Sequence, residues 1–439
     1  MRTREFPVLS EEDEPLVARL ALGLGDDAAR VLAYLLRRRT ASTVDDDPAD
    51  RLALRIGTGL NRTTLSDALD RLERRDLVTT TTLESDQGRP PMAWLARDPV
   101  DATVDRTDAH HAATLFDQAI AVAGELGTPV RVDEPGVPSA GSPGSASFSV
   151  GLNWFANVSH APLFAARADG AYDRWGLDVT VEEFAGSDRA IAAVREGTVD
   201  VAVAGAATIT RMRAAGAPLV PLAPLYQRGM TVLYTTRDAF GGRLDGIESV
   251  RGRRVGMPVD AETGLLGRLF LSQSGVIDEV TVVDLSGEES DALSTGRADV
   301  VSGTFGDVRE LEAAGRTVDV LAVNDHFPVY GPTLVTTDSV VSARSSALVS
   351  FLAGTLAGWR TAVFDPAEAV RAVASADDPG GDETVADARA VTGLKRTVDR
   401  FGTSAGVAEH GWGWHETAGW QRLATALGQV GLLTPGADG

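Results

Sequence analysis

The chain has 439 residues, no cysteine and a formal net charge of −21. At roughly 100–200 residues per domain, this length allows two or three domains. The absence of cysteine excludes disulfide bonds, thiolate metal sites and cysteine nucleophiles. The strong negative charge fits an ordinary acidic surface. It also fits a halophilic protein whose carboxylates keep it dissolved at molar salt, and Lys395 as the only lysine favours that second interpretation.

Residues 10–98 carry the pattern of one small domain. Ser10 and Asp13 form a candidate capping box before a helix, and a second helix follows at helical spacing. The segment TGLNRTTLSDALDRLERRDLV predicts a turn at Gly59, a cap at Asn61 and a helix with one apolar face, made of Leu65, Ala68, Leu69 and Leu72. The β-branched run LVTTTTLE, the turn SDQGRPP and the run MAWLAR then predict a two-stranded hairpin.

This order of helices followed by a hairpin resembles the archaeal and bacterial winged-helix transcription factors. The resemblance covers residues 10–98 and implies that the last helix reads base edges while the hairpin forms a wing. Residues 1–98 hold 15 arginines and 18 acidic residues, so they are closer to neutral than the rest of the chain. A winged helix that contacts only protein is the alternative. The residues expected to contact DNA are Arg62, Thr63, Ser66, Arg71, Arg74 and Arg89.

A connecting helix and a linker are predicted next. Over residues 104–127, apolar side chains recur every three or four positions at Ala112, Phe116, Ala119, Ala123 and Leu126. A seam of this length suits either the pairing of two chains in a homodimer or packing on the chain's own domain, and the sequence favours neither. Residues 128–147 are rich in Pro, Gly and Ser, which predicts a flexible linker.

From residue 148 to 439, candidate strands and helices alternate along the chain. The apolar runs SFSVGLNW, DVAVAG, TVLYTT, RRVGMP and TLVTT are examples of the predicted strands, and helical stretches separate most of them. This alternation predicts an α/β fold with largely parallel sheets. About 290 residues suit two lobes with a cleft between them.

The segment GLNWFANVSH, at 151–160, places four ring-bearing or polar side chains within an apolar run. They are Asn153, Trp154, Asn157 and His160. An indole offers a broad face for stacking a heterocycle, and amide and imidazole groups beside it suit a flat, polar ring with little charge. The alternative is a tryptophan in the core and a structural histidine.

Most of residues 148–432 resemble the type II periplasmic-binding-protein fold. Within it they resemble the family of thiamine-pyrimidine precursor binding proteins and hydroxymethylpyrimidine phosphate synthases. The stretches that carry the resemblance include GLNWFANVSHAPLFAARADGAYDRWGLDVTV, VREGTVDVAVAGAATITRMRAAGAPLVPLAPLYQR and GRADVVSGTFGDVRELEAAG. It implies a thiamine pyrimidine precursor or related heterocycle as ligand. The expected ligand-binding residues are Asn153, Trp154, Asn157, His160, Thr208, Gln227, Glu262, Thr263, Thr304 and Tyr330, although Gln227, Thr304 and Tyr330 equally suit hinge or packing roles.

The synthase branch of that family is an enzyme that consumes a lysine-bound pyridoxal phosphate and one of its own histidines. It also carries a cysteine cluster for iron. In this chain Ala204 stands where the lysine would be and Thr208 where the histidine would be, and there is no cysteine. We therefore expect no cofactor and no metal, and the sequence favours a binding protein over an enzyme.

The location and the overall function follow from these parts. The first 20 residues are charged and lack the apolar core of a secretory signal, and no run approaches the ~20 apolar residues of a membrane span. This predicts a cytoplasmic protein without membrane contact. The combination predicts a ligand-responsive transcriptional regulator with DNA and a small heterocycle as partners. The alternatives are a hydroxymethylpyrimidine phosphate synthase-like enzyme and an ABC-transporter solute-binding protein.

Overall fold

The computed structural model describes most of the chain. The described residues are 7–41, 47–84, 90–132, 136–138, 140–141, 145–259, 261–285, 287–377 and 387–433.

The N-terminal domain packs four helices against a small antiparallel sheet. The helices are α1 (Glu14–Leu24), α2 (Asp26–Ala41), α3 (Arg51–Thr58) and α4 (Arg62–Arg74). The strands are β1 (Ala49–Asp50), β2 (Val78–Thr82) and β3 (Met92–Ala96), in the order β1-β3-β2. The predicted hairpin strands are therefore confirmed, whereas the winged-helix assignment itself stays a prediction.

Local sequence signals account for the boundaries of α4. Gly59 adopts a left-handed conformation, with φ of 73°, as it ends α3. The Asn61 side chain accepts hydrogen bonds from the N–H groups of Thr63 and Thr64, both at 3.0 Å. The predicted apolar face is confirmed, because Leu65, Ala68, Leu69 and Leu72 are all buried in the domain core. The capping box at Ser10 and Asp13 is also present, at a short 3₁₀ turn.

The connecting helix α5 (Val100–Glu125) packs on the chain's own domains. Its apolar face is buried against the first-lobe core, at Ala112, Phe116, Ala119 and Ala123. Its polar groups pair with the same region: Asp108 is bridged by both terminal nitrogens of Arg360, at 2.5 and 2.9 Å. Of the two interpretations of the seam, packing on the chain's own domain describes this structure, and the pairing of two chains has no support.

The remainder forms two lobes, each built on a five-stranded sheet. The first-lobe sheet has the order β5-β4-β6-β13-β7 and the second-lobe sheet β10-β9-β11-β8-β12. In each, three neighbouring strands run parallel and the last two pairings are antiparallel. The strands are β4 (Ala146–Leu152), β5 (Leu177–Glu183), β6 (Val201–Ala204), β7 (Leu219–Pro224), β8 (Thr231–Thr236), β9 (Arg254–Met257), β10 (Thr281–Asp284), β11 (Val300–Thr304), β12 (Val318–Ala322) and β13 (Thr333–Thr337).

Helices cover the faces of both sheets. They are α6 (Ala161–Ala168), α7 (Ala171–Arg174), α8 (Ser187–Glu196), α9 (Ala206–Ala214), α10 (Arg237–Phe240), α11 (Glu262–Gln273), α12 (Glu289–Ser294), α13 (Phe305–Ala313), α14 (Asp338–Phe364), α15 (Pro366–Asp377), α16 (Ala388–Phe401), α17 (Ala405–His410) and α18 (Thr417–Gln429). The predicted α/β class is confirmed. The chain crosses between the sheets twice, from β7 to β8 and from β12 to β13.

The two crossovers touch each other. The Gly331 N–H donates to the Tyr226 carbonyl at 3.0 Å, and the Leu225 N–H donates to the Pro332 carbonyl at 2.8 Å. A side chain at Gly331 would collide with the Arg228 carbonyl, since a Cβ there would lie 2.5 Å from it. A glycine at this position therefore allows two backbone segments to run side by side between the lobes.

Helix α14 is long and apolar enough to cross a membrane, contrary to the sequence-based expectation that no segment is. Half of its most apolar window is buried within the protein. Leu348, Phe351 and Leu352 of this helix lie in the first-lobe core, where Phe351 stacks on Phe148 at 4.9 Å between ring centroids. This packing explains the apolar composition of α14 as that of a core helix.

Candidate functional site

The candidate site begins where the parallel strands of the first sheet end. Strands β4 and β6 run parallel, so their carboxyl ends lie at the same edge. Asn153 and Trp154 follow β4 directly, and Gly205 follows β6 and opens helix α9. Ligands of open α/β sheets bind at such an edge, beyond the carboxyl ends of the strands.

A carboxylate from the second lobe fills the N-terminus of α9. Glu262, the first residue of α11, accepts hydrogen bonds from the Ala207 N–H at 2.9 Å, the Thr208 N–H at 2.7 Å and the Thr208 hydroxyl at 2.8 Å. The free N–H groups and the dipole of a helix N-terminus favour a negative charge. The two lobes are therefore joined across the cleft by an acidic side chain at a helix end.

Gly205 makes room for this carboxylate. A Cβ at residue 205 would lie 2.1 Å from Cδ of Glu262, so no other residue type fits without moving it. Burial raises the pKa of Glu262 above its usual value, although the hydrogen bonds from Ala207 and Thr208 oppose that shift. Around this contact, Ile209 of α9 and Leu265 and Leu269 of α11 share one buried apolar cluster, so the lobes are in direct contact.

A chain of hydrogen bonds connects the predicted histidine to the same helix end. The His160 imidazole Nε2 is 3.1 Å from Oδ1 of Asn153. The Asn153 amide lies 3.5 Å from the Ser187 hydroxyl, which accepts the Gly205 N–H at 3.0 Å. Burial lowers the pKa of His160 to about 4, so the ring is neutral at pH 7. Its Nδ1 atom is buried and has no partner among the described residues.

Trp154 is half exposed, at 50 %, and its ring meets the neighbouring Phe155 edge to face at 5.6 Å. The indole therefore has free area at the edge of the first sheet. Asn157, another expected ligand residue, makes local contacts. Its side chain caps the turn Val158–His160, because Oδ1 accepts from the Ser159 N–H at 2.9 Å and Nδ2 donates to the Phe155 carbonyl. Capping accounts for this asparagine without a ligand.

Three of the four remaining predicted ligand residues have local structural partners. Gln227 lies in the first crossover and accepts a hydrogen bond from the Ser404 hydroxyl at 3.0 Å. Thr304 caps α13 through its hydroxyl and the Gly306 N–H. The Tyr330 hydroxyl accepts from the Glu416 N–H at 3.0 Å, and its ring packs on Trp420. Thr263 follows Glu262 in α11 and is half-buried.

Sequence reasoning missed Ser187 and Gly205, which connect Asn153 to α9. Ser187 is the first residue of α8, directly after the loop from β5, and β5 also runs parallel to β4. The sequence signal that could have identified Ser187 is its place at the start of a helix that follows a parallel strand. A hydroxyl there lies at the sheet edge where ligands bind.

The predicted DNA-contacting residues are divided between solvent and an interface. Arg62, Thr63 and Arg74 are exposed and Ser66 is half-buried, whereas Arg89 lies outside the described residues. Arg71, also expected to contact DNA, is half-buried at the interface. Its guanidinium donates to the Leu24 carbonyl at 2.8 Å and to the Glu409 carbonyl at 2.5 Å, so it packs between the N-terminal domain and α17.

Comparison with protein families places this site within a known domain type. Residues 157–369 match the family model described as NMT1/THI5 like. The chain therefore contains an NMT1/THI5-like domain, which includes His160, Thr208 and Glu262. The stretch 151–156, with Asn153 and Trp154, precedes the matched residues.

Two relatives have names that mention thiamine or a pyrimidine. A "Putative thiamine biosynthesis protein" of Haemophilus influenzae is 27% identical over 158 residues, which are 36% of this chain and 49% of that protein. A "Formylaminopyrimidine-binding protein" of Halalkalibacterium halodurans is 23% identical over 233 residues, 52% of this chain and 69% of that protein. The match thus spans about half the length of the first relative and about two thirds of the second.

A solved structure shares the fold. The periplasmic aliphatic sulphonate binding protein SsuA from Escherichia coli is 15% identical, with a TM-score of 0.51, over 66% of this chain and 94% of that protein. This likeness supports the predicted α/β periplasmic-binding-protein-like fold for the two lobes. The prediction of a cytoplasmic location is contradicted, because this neighbour of the same fold is named as a periplasmic protein. None of these comparisons supports DNA binding, a transcriptional regulator, a homodimer or a halophilic protein.

Proposed function

We propose that the two-lobed domain binds a flat, uncharged nitrogen heterocycle of the aminopyrimidine kind, in the manner of an ABC-transporter solute-binding protein. The carboxylate of Glu262 on the N-terminus of α9 is the observation that carries this proposal. It occupies the donors that an anionic head group would otherwise use. The fold is shared with a sulphonate-binding protein, but a sulfonate in this cleft would have to displace Glu262.

Glu262 also keeps acceptor capacity for such a ligand. A carboxylate offers about four lone-pair sites, and three donors from Ala207 and Thr208 already occupy some of them. Among the described residues, Oε1 accepts a single hydrogen bond, from the Ala207 N–H. An amino group or ring N–H of the ligand therefore has an acceptor there. This chemistry selects a donor-bearing neutral ring over an anion.

Trp154 and His160 supply the remaining recognition groups. The half-exposed indole of Trp154 can stack on a planar ring at low entropic cost, because its side chain has two rotatable bonds. His160, neutral at pH 7, holds Asn153 beside it. The name of the Halalkalibacterium relative mentions a formylaminopyrimidine, a compound of the proposed class.

Isothermal titration of the purified chain tests the proposal. The ligands are 4-amino-5-hydroxymethyl-2-methylpyrimidine, a formylaminopyrimidine and ethanesulfonate. We expect the two pyrimidines to bind and ethanesulfonate not to compete with them. Trp154→Ala should weaken pyrimidine binding by about 5- to 150-fold, because stacking of a base on an aromatic side chain contributes about 1–3 kcal/mol.

Two matched variants make the result specific. Trp154→Phe retains a stacking face and should restore much of the affinity. Phe364→Ala removes a comparably exposed aromatic ring at the end of α14 and should leave binding unchanged. Tight binding of ethanesulfonate, or equal pyrimidine affinity in wild type and Trp154→Ala, would refute the proposal.

A second candidate function is a ligand-responsive DNA-binding regulator. The contact between the N-terminal domain and α17 favours it. Ser404 caps α17 and donates to Gln227 in the crossover between the lobes, while the other end of α17 meets Arg71 through the Glu409 carbonyl. Lobe closure would change the crossover, and this chain of contacts leads from there to α4. The coupling free energy between ligand binding and DNA binding would amount to about 1–3 kcal/mol.

Gel shift with the DNA upstream of the chain's own gene, with and without the pyrimidine, tests this candidate. Arg62→Ala should weaken a specific complex, because Arg62 is exposed at the N-terminal end of α4. The exposed Arg55 in α3 provides the control variant Arg55→Ala. Absence of a complex at low salt, where phosphate attraction is strongest, would eliminate the regulator.

A further inference from the structure

A pocket lies at the junction of the N-terminal domain and the two-lobed domain. Its lining residues are different from those of the cleft. Its volume is about 450 Å³. This junction pocket is lined chiefly by Arg71, Arg74, Arg75, His110, His410 and Trp414. The end of α4 supplies the arginines, α5 supplies His110, α17 ends with His410, and Trp414 follows that helix. Pockets of this size hold small molecules.

The three arginines form no ion pair with a carboxylate among the described residues. Arg71 donates to the carbonyls of Leu24 and Glu409. Arg75 donates to the Gly23 carbonyl at 2.7 Å and to the Thr114 hydroxyl at 3.4 Å. Arg74 is exposed. Three neighbouring guanidinium groups without an ion pair in the described part of the chain are unusual at a net charge of −21, where carboxylates are in excess.

The environment of Arg75 shows the concentration of positive charge. Burial, together with the charges of Arg71 and Arg74, lowers the pKa of Arg75 to about 10. One carboxylate, Asp117, also lines the pocket, and it has a partner of its own. The junction pocket therefore has a surplus of positive charge within its described lining.

An aromatic wall faces this charge. The imidazole of His410 stacks on the indole of Trp414, with 4.0 Å between ring centroids and 28° between planes. Burial lowers the pKa of both His110 and His410, and nearby arginines lower it too, whereas the Glu409 carboxylate, 3.5 Å from the His410 ring, opposes the shift of His410. The Trp414 N–H is buried and has no acceptor in the described part of the chain. The wall thus combines flat rings with polar donors.

We propose that the junction pocket binds a small phosphate monoester, with the phosphate held by Arg74 and its two neighbours and the organic part lying against Trp414 and His410. Guanidinium groups match phosphate oxygens in a planar, two-point geometry. A concave pocket with an aromatic wall accommodates a small molecule. The occupant would contact both domains and hold them together. This site is independent of the heterocycle proposed for the cleft.

Binding of inorganic phosphate and of phenyl phosphate tests the proposal. Titration calorimetry and thermal unfolding are run on the full chain, with sodium chloride matching the ionic strength. We expect both compounds to bind and raise the melting temperature, with phenyl phosphate binding more tightly. Arg74→Ala should weaken both at least about tenfold, because hydrogen bonds to charged groups contribute about 1.5–3 kcal/mol.

Control variants separate this site from non-specific charge effects and from the cleft. Arg55→Ala removes one exposed positive charge from the same domain, outside the pocket, and should leave phosphate affinity unchanged. Trp154→Ala should also leave it unchanged, whatever it does to the pyrimidine. The proposal is overturned if phosphate does not bind, or if Arg74→Ala and Arg55→Ala reduce its affinity equally.

Discussion

Glu262 and Thr208 come from different lobes and meet across the cleft. The carboxylate accepts both the backbone N–H and the hydroxyl of Thr208, at 2.7 and 2.8 Å. A charged acceptor on a helix N-terminus is stabilised by the free N–H groups and the helix dipole. The contact therefore opposes separation of the lobes and sets the charge that a ligand meets in the cleft.

Removal of this carboxylate should loosen the lobes. Glu262→Ala leaves the N–H groups of Ala207 and Thr208 without their charged acceptor, so we expect a loss of at least about 2 kcal/mol in the free energy of unfolding. Small-angle scattering should show a larger radius of gyration, because the lobes are less firmly held. Urea unfolding measures the energy.

Gly205→Ala is the partner experiment. The backbone of Gly205, with φ of −71°, suits alanine, so the added methyl acts only by displacing Glu262. Both single variants and the double variant should lose similar stability, since they break the same contact. Glu312→Ala, at an exposed acid in the second lobe, is the control. Fully additive losses in the double variant would contradict a shared contact.

The same substitution should change the charge preference of the cleft. Once Glu262 is removed, the N-terminus of α9 has free donors and no carboxylate, which is the arrangement that binds anions. Glu262→Ala should therefore gain binding of ethanesulfonate that the wild type lacks. The titration is made in an Arg74→Ala background so that the junction pocket does not contribute. No gain of anion binding would mean that Glu262 does not exclude anions.

Short-range patterns in the sequence were sufficient for much of the fold. The cap at Asn61 and the buried face of α4 depend on residues within four positions of each other, and both are confirmed. Ligand binding by Asn157 stays a prediction, and a local pattern accounts for its contacts in the structure. An asparagine side chain often caps a turn by accepting a hydrogen bond from the backbone N–H two residues later. Asn157 does this with the Ser159 N–H.

Contacts between distant segments could not be predicted. Arg71 lies on the predicted outer face of α4, but the Glu409 carbonyl, 338 positions away, docks against it. Glu262 was expected in the cleft, yet its bond to Thr208 depends on how closely two separately folded lobes approach. Neither arrangement has a signature in helical or strand periodicity, because periodicity reports only which face of an element is buried.

Acid should destabilise the protein through its buried histidines. Burial lowers the pKa of His111 to about 3 and of His160 and His415 to about 4, from an ordinary value near 6.5. At a pH between the lowered pKa of the folded chain and the ordinary pKa of the unfolded chain, the unfolded chain binds more protons than the folded chain. Stability is therefore complete above pH 6.5 and decreases as the pH falls toward 4.

The buried acids Glu262 and Asp108 have raised pKa values and act in the opposite direction, so the comparison is made between variants. His111→Gln keeps a donor for the Trp412 carbonyl and removes one titrating group. Between pH 6.5 and 4 it should lose less stability than wild type in urea unfolding. An unchanged pH dependence in His111→Gln would contradict this prediction.

Removal of one partner of the buried Asp108–Arg360 pair should weaken the attachment of α5. Asp108 is 1% exposed and both terminal nitrogens of Arg360 reach it, so this ion pair joins α5 to α14 inside the protein. Asp108→Ala leaves a guanidinium buried without its counter-charge, which typically costs about 3–5 kcal/mol. Chemical denaturation should show a loss of that size.

The same helix offers a matched exposed pair. Asp105 bonds to Arg174 at 3.1 Å, and both side chains are at least a third exposed. Asp105→Ala should cost less than about 1 kcal/mol, because solvent screens this pair. The double variant Asp108→Leu with Arg360→Met removes both buried charges and should recover most of the lost stability. Equal losses for Asp105→Ala and Asp108→Ala would mean that burial does not determine the contribution of the Asp108–Arg360 pair.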